Sequence, residues 1–334
     1  MEYTSLGRTG ISVSKLCLGM MSFGNSQEWN LEIEEARPII ERAVDLGINF
    51  FDTANVYSRG RSEEITGEVL ADYRDDIVLA TKIRFAMGDG VNDSGLNRYH
   101  MIRQMQESLD RLQTDFVDLY QIHRWDYSTD IELVMRSLNH LIDAGVTLHI
   151  GASSMYGWEL MKAQATAERL GLEKFQTMQN HYNAIYREEE REVIPACIDM
   201  GMGIIPWSPL ARGFLSGKYD DVDPDSPRAR SDPYLKMRYF KDNDFEVLKV
   251  LKEVAFENEI TTAQMALAWL LSRPGVTSPI IGVTKMSHLE QAVETVDMII
   301  DHDYFDRISE AYTVRPITGH AYNQPNTMIN KADK

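Results

Sequence analysis

Four residues have the types and spacing to move a proton onto an oxygen: Asp52 and Tyr57 in FFDTANVYSRGRSEE, Lys82 in IVLATKI and His123 in LYQIHR. Lys82 falls inside an apolar run, where a buried ammonium is costly unless it is paired. Asp52 ends the preceding apolar run and is the nearest counter-ion by topology. A lysine held charged in this way would lower the pKa of a neighbouring phenol from its usual value of about 10, making Tyr57 a better proton donor near neutrality. His123 would then donate a hydrogen bond to an oxygen becoming an alkoxide. The set suits carbonyl reduction, with hydride arriving at carbon while Tyr57 protonates oxygen. Singly, each residue has a plain structural reading: a capping Asp, a packed Tyr, a solvated Lys, a structural His. The chemistry lies in the combination, which requires three successive strands to end at one place.

The elements that would do this are written as eight short apolar runs: KLCLGMMSFG, INFFDTA, IVLATKI, FVDLYQIH, LHIGASS, FQTMQNHY, GIIPWSPL and SPIIGV. Helix-like segments separate them, and four close on glycine immediately before a run, at Gly47, Gly145, Gly171 and Gly201, which suits the left-handed residue that ends a helix. Met101, Met105, Leu109 and Leu112 fall on one helical face, and 130–144 repeats the pattern. Alternating strands and helices imply a parallel sheet with right-handed crossovers, and eight such units make an α/β fold of the (β/α)₈ TIM-barrel type the leading architecture, with a doubly wound open sheet as the alternative. Ahead of the eight, EYTSLGRTGISVS reads as an N-terminal β-hairpin turning at Gly7 to Gly10. The polar segment 218–243 reads as a long loop after strand 7. With no linker or fixed-period repeat, residues 1–334 are expected to form one domain.

The chain has 334 residues, 43% of them apolar, and a formal charge of -17 with a pI of about 4.9. That charge disfavours a nucleic-acid or anionic-membrane surface, since the long-range field repels phosphates. Cys17 and Cys197 form no CxxC pair, so neither a disulfide framework nor a thiolate metal site is expected, and a reducing cytoplasmic setting fits. No run reaches the length of a membrane span. GxGxxG and GxxxxGK[ST] are both absent, so a nucleotide would have to be held outside a Rossmann fingerprint or P-loop.

Asp52, Tyr57, Lys82 and His123, in the settings FFDTANVYSRGRSEE, LATKI and DLYQIHRWD, resemble the catalytic tetrad of the aldo-keto reductases. The similarity runs from the hairpin and GMMSFG to SPIIGVTK and covers most of the chain. It implies a (β/α)₈ barrel and an NADP(H)-dependent reductase of aldehydes and ketones. By the same resemblance, Ser153 and Ser154 in HIGASSMYG and Gln179 in TMQNHYN would meet the nicotinamide amide, and Trp207 its ring face. Gly19, Met20 and Asp52 would border the nicotinamide end. SPLARGFLSGK is similar to the loop that closes over the pyrophosphate, with Ser208, Leu210, Arg212, Gly213 and Lys218 in its pattern. Gly282, Thr284, Lys285, His288 and Gln291 would meet the adenosine half. The family's arginine near His288 is missing here and alanine stands at position 292, so NADP is the expected cofactor and NAD the alternative.

Other features carry less. YREEEREV reads as a solvated first helical turn. GDGVNDSG reads as a turn-rich loop, DHD at 301–303 as exposed acids with no metal, and His140 and His181 as structural. Phe23, Phe85 and Trp125, each just past a strand, would line an apolar mouth for a small carbonyl substrate. Two other functions share the motifs: a nicotinamide-binding regulatory subunit resembling potassium-channel β subunits, and a sugar or alcohol dehydrogenase working in the oxidative direction. The hairpin following directly on Met1 favours the enzyme, because an N-terminal inactivation segment is then not expected. The physiological substrate and oligomeric state are not encoded in these motifs.

Overall fold

The computed structural model describes residues 1–217 and 232–314. Its N-terminal hairpin pairs β1 (Tyr3–Ser5) antiparallel with β2 (Ser12–Ser14). Eight parallel strands follow: β3 (Cys17–Gly19), β4 (Phe50–Asp52), β5 (Val78–Ile83), β6 (Val117–Ile122), β7 (Thr147–Ser153), β8 (Thr177–Gln179), β9 (Gly203–Ile204) and β10 (Ile280–Ile281). They lie in the order β10-β3-β4-β5-β6-β7-β8-β9. Parallel bridges Ile204↔Val276 and Trp207↔Ile280, with Ile280 N donating to Pro206 O at 2.9 Å, join the two ends, so the sheet closes into the expected (β/α)₈ barrel. The eight apolar runs of the sequence are these eight strands.

Strand alternation divides the apolar residues into two layers. One set, including Cys17, Phe50, Val78, Ala80, Leu119 and Ile205, fills the barrel together with Leu6 and Val13 of the hairpin. The alternate residues, such as Leu18, Phe51, Leu79 and Tyr120, join the larger layer between sheet and helices. The hairpin turn plugs the amino-terminal end of the barrel. Gly7 sits at φ 60°, where a Cβ would lie 2.6 Å from Gln176 O and 2.8 Å from Gly203 N, so only glycine allows this approach.

Around the sheet lie α1 (Ile33–Asp45), α2 (Arg61–Leu70), α3 (Arg98–Leu112), α4 (Ile131–Asp143), α5 (Gly157–Leu170), α6 (Val193–Met200), α7 (Pro233–Arg238), α8 (Asp242–Glu257), α9 (Thr262–Leu271), α10 (Met286–Glu294) and α11 (His302–Glu310). The four glycines expected to end helices all take positive φ, between 64° and 86°. Among the described residues no helix is long and apolar enough to cross a membrane.

Two expectations need correction. The segment 218–243 is not loop throughout: 218–231 lie outside the described residues, but 233–238 form α7 and 242 begins α8. Asp232 caps α7 by accepting from Tyr234 N, and Pro233 suits its first position. The charge run YREEEREV is solvated only in part: Glu188 and Glu189 are 3% and 2% exposed in a 3₁₀ turn, Glu188–Arg191, whereas Arg191 and Glu192 are exposed. Tyr312 donates to Glu188 and Arg191 pairs with it, whereas Glu189 Oε2 has no partner among the described residues.

The Glu189 carboxyl is pushed up from 4.5 to about 8 by burial; Asn180 pulls it down, Glu188 raises it further, and Arg124 offsets part. Between those two values the unfolded chain releases a proton that the native state keeps. Stability contributed at this position therefore falls as pH rises through that window, by about 1.4 kcal/mol per pH unit. Glu189→Gln is expected to gain stability over the parent steadily from pH 5 to 8. Urea midpoints at several pH values check this, and a pH-independent difference would refute it.

Candidate active site

Asp52 and Lys82 reach the same volume because both lie on inward positions at the carboxyl ends of adjacent strands, with Asp52 opposite Ala80 and Lys82 opposite Gln121. Lys82 is fully buried, and its Nζ donates to Asp52 Oδ2 at 2.5 Å, Thr53 O at 2.7 Å and Tyr57 Oη at 3.2 Å. Burial pulls the ammonium pKa down, but the Asp52 charge and Tyr57 outweigh it, and the net shift is upward. The charge on Lys82 is therefore retained throughout the neutral range and would be lost only as pH rises beyond the usual lysine value.

Asp52 is held from the other side too. Its Oδ1 accepts from Gln121 Nε2 and Gln179 Nε2, both at 2.9 Å, and Gln179 also donates to Gln121 Oε1 at 3.1 Å. Gln121 went unnoticed in the motifs. The available signal was alternation, because Leu119, Gln121 and His123 share the inward face of one strand.

Tyr57 opens a 3₁₀ turn, Tyr57–Gly60, in which Ser58 and Arg59 take left-handed conformations at φ 47° and 53°. Two non-glycine residues held there mark stored strain, which the surroundings must impose. They do so through the first turn of α2. Ser62 Oγ donates to Met20 O and lies 3.0 Å from Thr53 Oγ1, while Glu63 accepts from Thr81 Oγ1 at 2.5 Å and from Arg111 Nε at 2.7 Å. The loop carrying Tyr57 is thereby fixed to the strands carrying Asp52 and Lys82.

His123 follows β6, its backbone N donating to Ile83 O, and its ring meets Tyr57 edge-on at 5.7 Å between centroids. Burial holds its pKa well below the usual value, and Arg124, Lys82 and Arg84 add to that effect. The imidazole is neutral at physiological pH, a hydrogen-bond donor without a charge. Phe85 also packs edge-on with this ring, at 4.9 Å between centroids. Trp125 is only 6% exposed, and Phe23 is wholly buried in the outer core rather than lining the mouth.

The residues expected at the nicotinamide lie at neighbouring strand ends. Ser153 pairs with Gln179 in register and its Oγ donates to Gln179 O at 2.9 Å. Ser154, at φ 45°, accepts from Trp207 Nε1 at 2.9 Å. Trp207 is stacked on His181 at 4.2 Å and 6°, and His181 in turn on Tyr186 at 4.0 Å. His181 is thus structural as expected, occupying one face of the indole; the Arg238 guanidinium lies 4.8 Å over the ring. Gly19 closes β3 where a Cβ would stand 2.7 Å from Ile280 Cγ2, and Met20 turns its side chain into the outer core.

Beyond Trp207 the backbone is again strained: Ser208, Ala211 and Arg212 have φ of 54°, 48° and 58°, and Gly213 94°. Arg212 Nε pairs with the buried Asp232 at 2.5 Å, and Leu210 is half-buried against the core. Lys218 lies outside the described residues. Across the barrel, a Cβ on Gly282 would meet, among the described residues, only Ser22 Oγ at 3.6 Å, so none of these blocks a ligand from the strand end there. Thr284 and Lys285 lead into α10, whose first turn carries His288, while Gln291 O is occupied by Thr295 Oγ1 and Gln264 Nε2. A strained loop, a glycine edge and a helix start, placed around one mouth, fit an extended phosphorylated cofactor.

The model of the aldo/keto reductase family matches residues 15–313. The chain belongs to that family. It is therefore grouped with oxidoreductases that generally use NAD(P)H. Versiconal hemiacetal acetate reductase of Aspergillus parasiticus is 37% identical, with 95% of this chain and 98% of that protein covered. A putative aryl-alcohol dehydrogenase of Schizosaccharomyces pombe is 38% identical over 95% of this chain and 97% of its own length. A probable voltage-gated potassium channel subunit beta of Arabidopsis thaliana is 37% identical over 96% and 100%. Aldo/keto reductases similar to this chain thus carry both enzymatic and channel-subunit names.

Proposed function

We propose that this protein reduces aldehydes and ketones to alcohols, with NADPH as hydride donor and Tyr57 as the acid. The observation that carries the reading is the buried chain from Asp52 through Lys82 to Tyr57, at 2.5 and 3.2 Å, beside a neutral imidazole. A purely structural ion pair has no need to present a half-buried phenol at the mouth.

When bound, the nicotinamide supplies a hydride to the carbonyl carbon. His123 donates a hydrogen bond to the carbonyl oxygen and strengthens as negative charge develops there. Tyr57 transfers its proton to that oxygen, and Lys82, fixed by Asp52 and Thr53 O, stabilises the phenolate left behind. Ser153, Gln179 and Trp207 would hold the nicotinamide end, the 208–213 loop the pyrophosphate, and Thr284, Lys285 and His288 the 2′-phosphate. Run in reverse, the same groups oxidise an alcohol. The channel-subunit relative supports a regulatory reading, but nothing in the site geometry favours it over turnover.

The test is oxidation of NADPH and of NADH by the purified protein against a panel of aromatic and short-chain aldehydes. Turnover is expected with NADPH preferred. A tenfold preference for NADH would overturn the cofactor assignment, and tight cofactor binding without turnover of any carbonyl would overturn the reaction.

A further inference from the structure

The two strands bearing Lys82 and His123 end alike: Lys82 is followed by Ile83, Arg84 and Phe85, and His123 by Arg124 and Trp125. Each therefore delivers an arginine beside Tyr57 and His123; Phe85 packs on the His123 ring, whereas Trp125 joins the outer core against Trp158. In a chain of formal charge -17, two such cations would be expected to sit against acids. Among the described residues neither has a carboxylate at salt-bridge distance.

The acids around them are held by other groups or by burial. Asp126 accepts from Leu96 N, Ser128 N and Thr129 Oγ1; it feels the Arg84 charge but makes no ion pair with it. Asp52 is taken by Lys82 and two glutamines, and Glu189, near Arg124, is held protonated up to about pH 8. Arg124 donates from one Nη to His123 O at 2.6 Å and Ser153 Oγ at 3.3 Å, which fixes the side chain without neutralising it. Burial pushes its pKa down to about 10, and repulsion from Arg238 and Arg84 adds to that. Arg84 has its guanidinium 5.5 Å over the Phe85 ring, and its buried Nε has no acceptor among the described residues. An unmet charged donor next to a second unneutralised guanidinium is unfavourable by itself and becomes favourable when an anion arrives. Arg212 and Arg238 lie by the 208–213 loop assigned to the cofactor, and Arg124, 5.8 Å over the Trp207 ring, stands at the boundary between that side and Arg84.

We infer that the substrate is an anionic carbonyl compound, whose carboxylate or phosphate is bound by Arg84 with Arg124 beside it while its carbonyl faces Tyr57 and His123. Guanidinium forks match both oxyanions, and Phe85, between His123 and Arg84, borders the same space with apolar surface. This rests on the reductase reading for the carbonyl end only.

The test compares kcat/KM with NADPH for 2-, 3- and 4-carboxybenzaldehyde against their methyl esters, and for glyceraldehyde 3-phosphate against glyceraldehyde. At least one anion is expected to exceed its neutral partner about tenfold or more, and Arg84→Met to bring that ratio close to one, with Arg84→Lys intermediate. The arm that shows the preference identifies carboxylate or phosphate. In parallel, terephthalate and inorganic phosphate are titrated into the NADP-loaded protein, read by tryptophan fluorescence at two salt concentrations. Turnover of neutral aldehydes with no anion preference, or anion binding unchanged by Arg84→Met, overturns the inference and leaves the reductase reading standing. Salt-sensitive binding lost in Arg84→Met, without turnover of any carbonyl, supports the anion site and overturns the reductase reading. Neither binding nor preference overturns the site outright.

Discussion

Tyr57→Phe is expected to lower kcat/KM for aldehyde reduction by about 10²–10⁴-fold, the usual contribution of a positioned acid, while leaving cofactor affinity nearly unchanged. The substitution removes one oxygen from a half-buried position. Lys82 keeps Asp52 at 2.5 Å and Thr53 O at 2.7 Å, so the buried ammonium remains paired and the fold is undisturbed. Nicotinamide fluorescence titration and steady-state kinetics on the same preparations separate binding from chemistry. Residual activity within a few-fold of the parent would mean that another donor protonates the oxygen.

Lys82→Met is expected to have the largest effect on stability as well as removing activity. It leaves Asp52, 2% exposed, with two glutamine amides but without its cation. Deleting one partner of a buried pair typically costs about 3–5 kcal/mol, because the surviving charge is uncompensated. Pairing Lys82→Met with Asp52→Asn is expected to recover much of that stability and none of the activity. Urea denaturation of the two variants checks the first statement and aldehyde turnover the second. Equal destabilisation of the single and double variants would show that the loss comes from packing around the lysine stem.

Much of the architecture could be read locally. A helix end, a glycine and a β run are consecutive in sequence, and the residue types alone favour each conformation, so the hairpin, the eight strands and the four glycine stops all lie where the patterns put them. Asp52, Lys82 and His123 were legible for a related reason, since each ends an apolar run and strand ends of a barrel converge. The burial of Glu188 and Glu189 was not legible. A run of charges looks solvated from sequence, and only Tyr312 and Arg191, packed against Glu188, show otherwise.

The sequence by itself determined the positions of the strands along the chain, the residue types at their ends and hence the family resemblance, because those depend on short-range propensity and alternation. The tertiary structure decided which groups neutralise one another. Gln121 and Gln179 converge on Asp52 from positions 69 and 127 residues away, and Glu63 ties the Tyr57 turn to Thr81 and Arg111. Likewise, that Arg84 and Arg124 form no ion pair with an acid among the described residues is a property of three-dimensional proximity. Electrostatic energy depends on distance through space, which closing the barrel sets and the chain order does not.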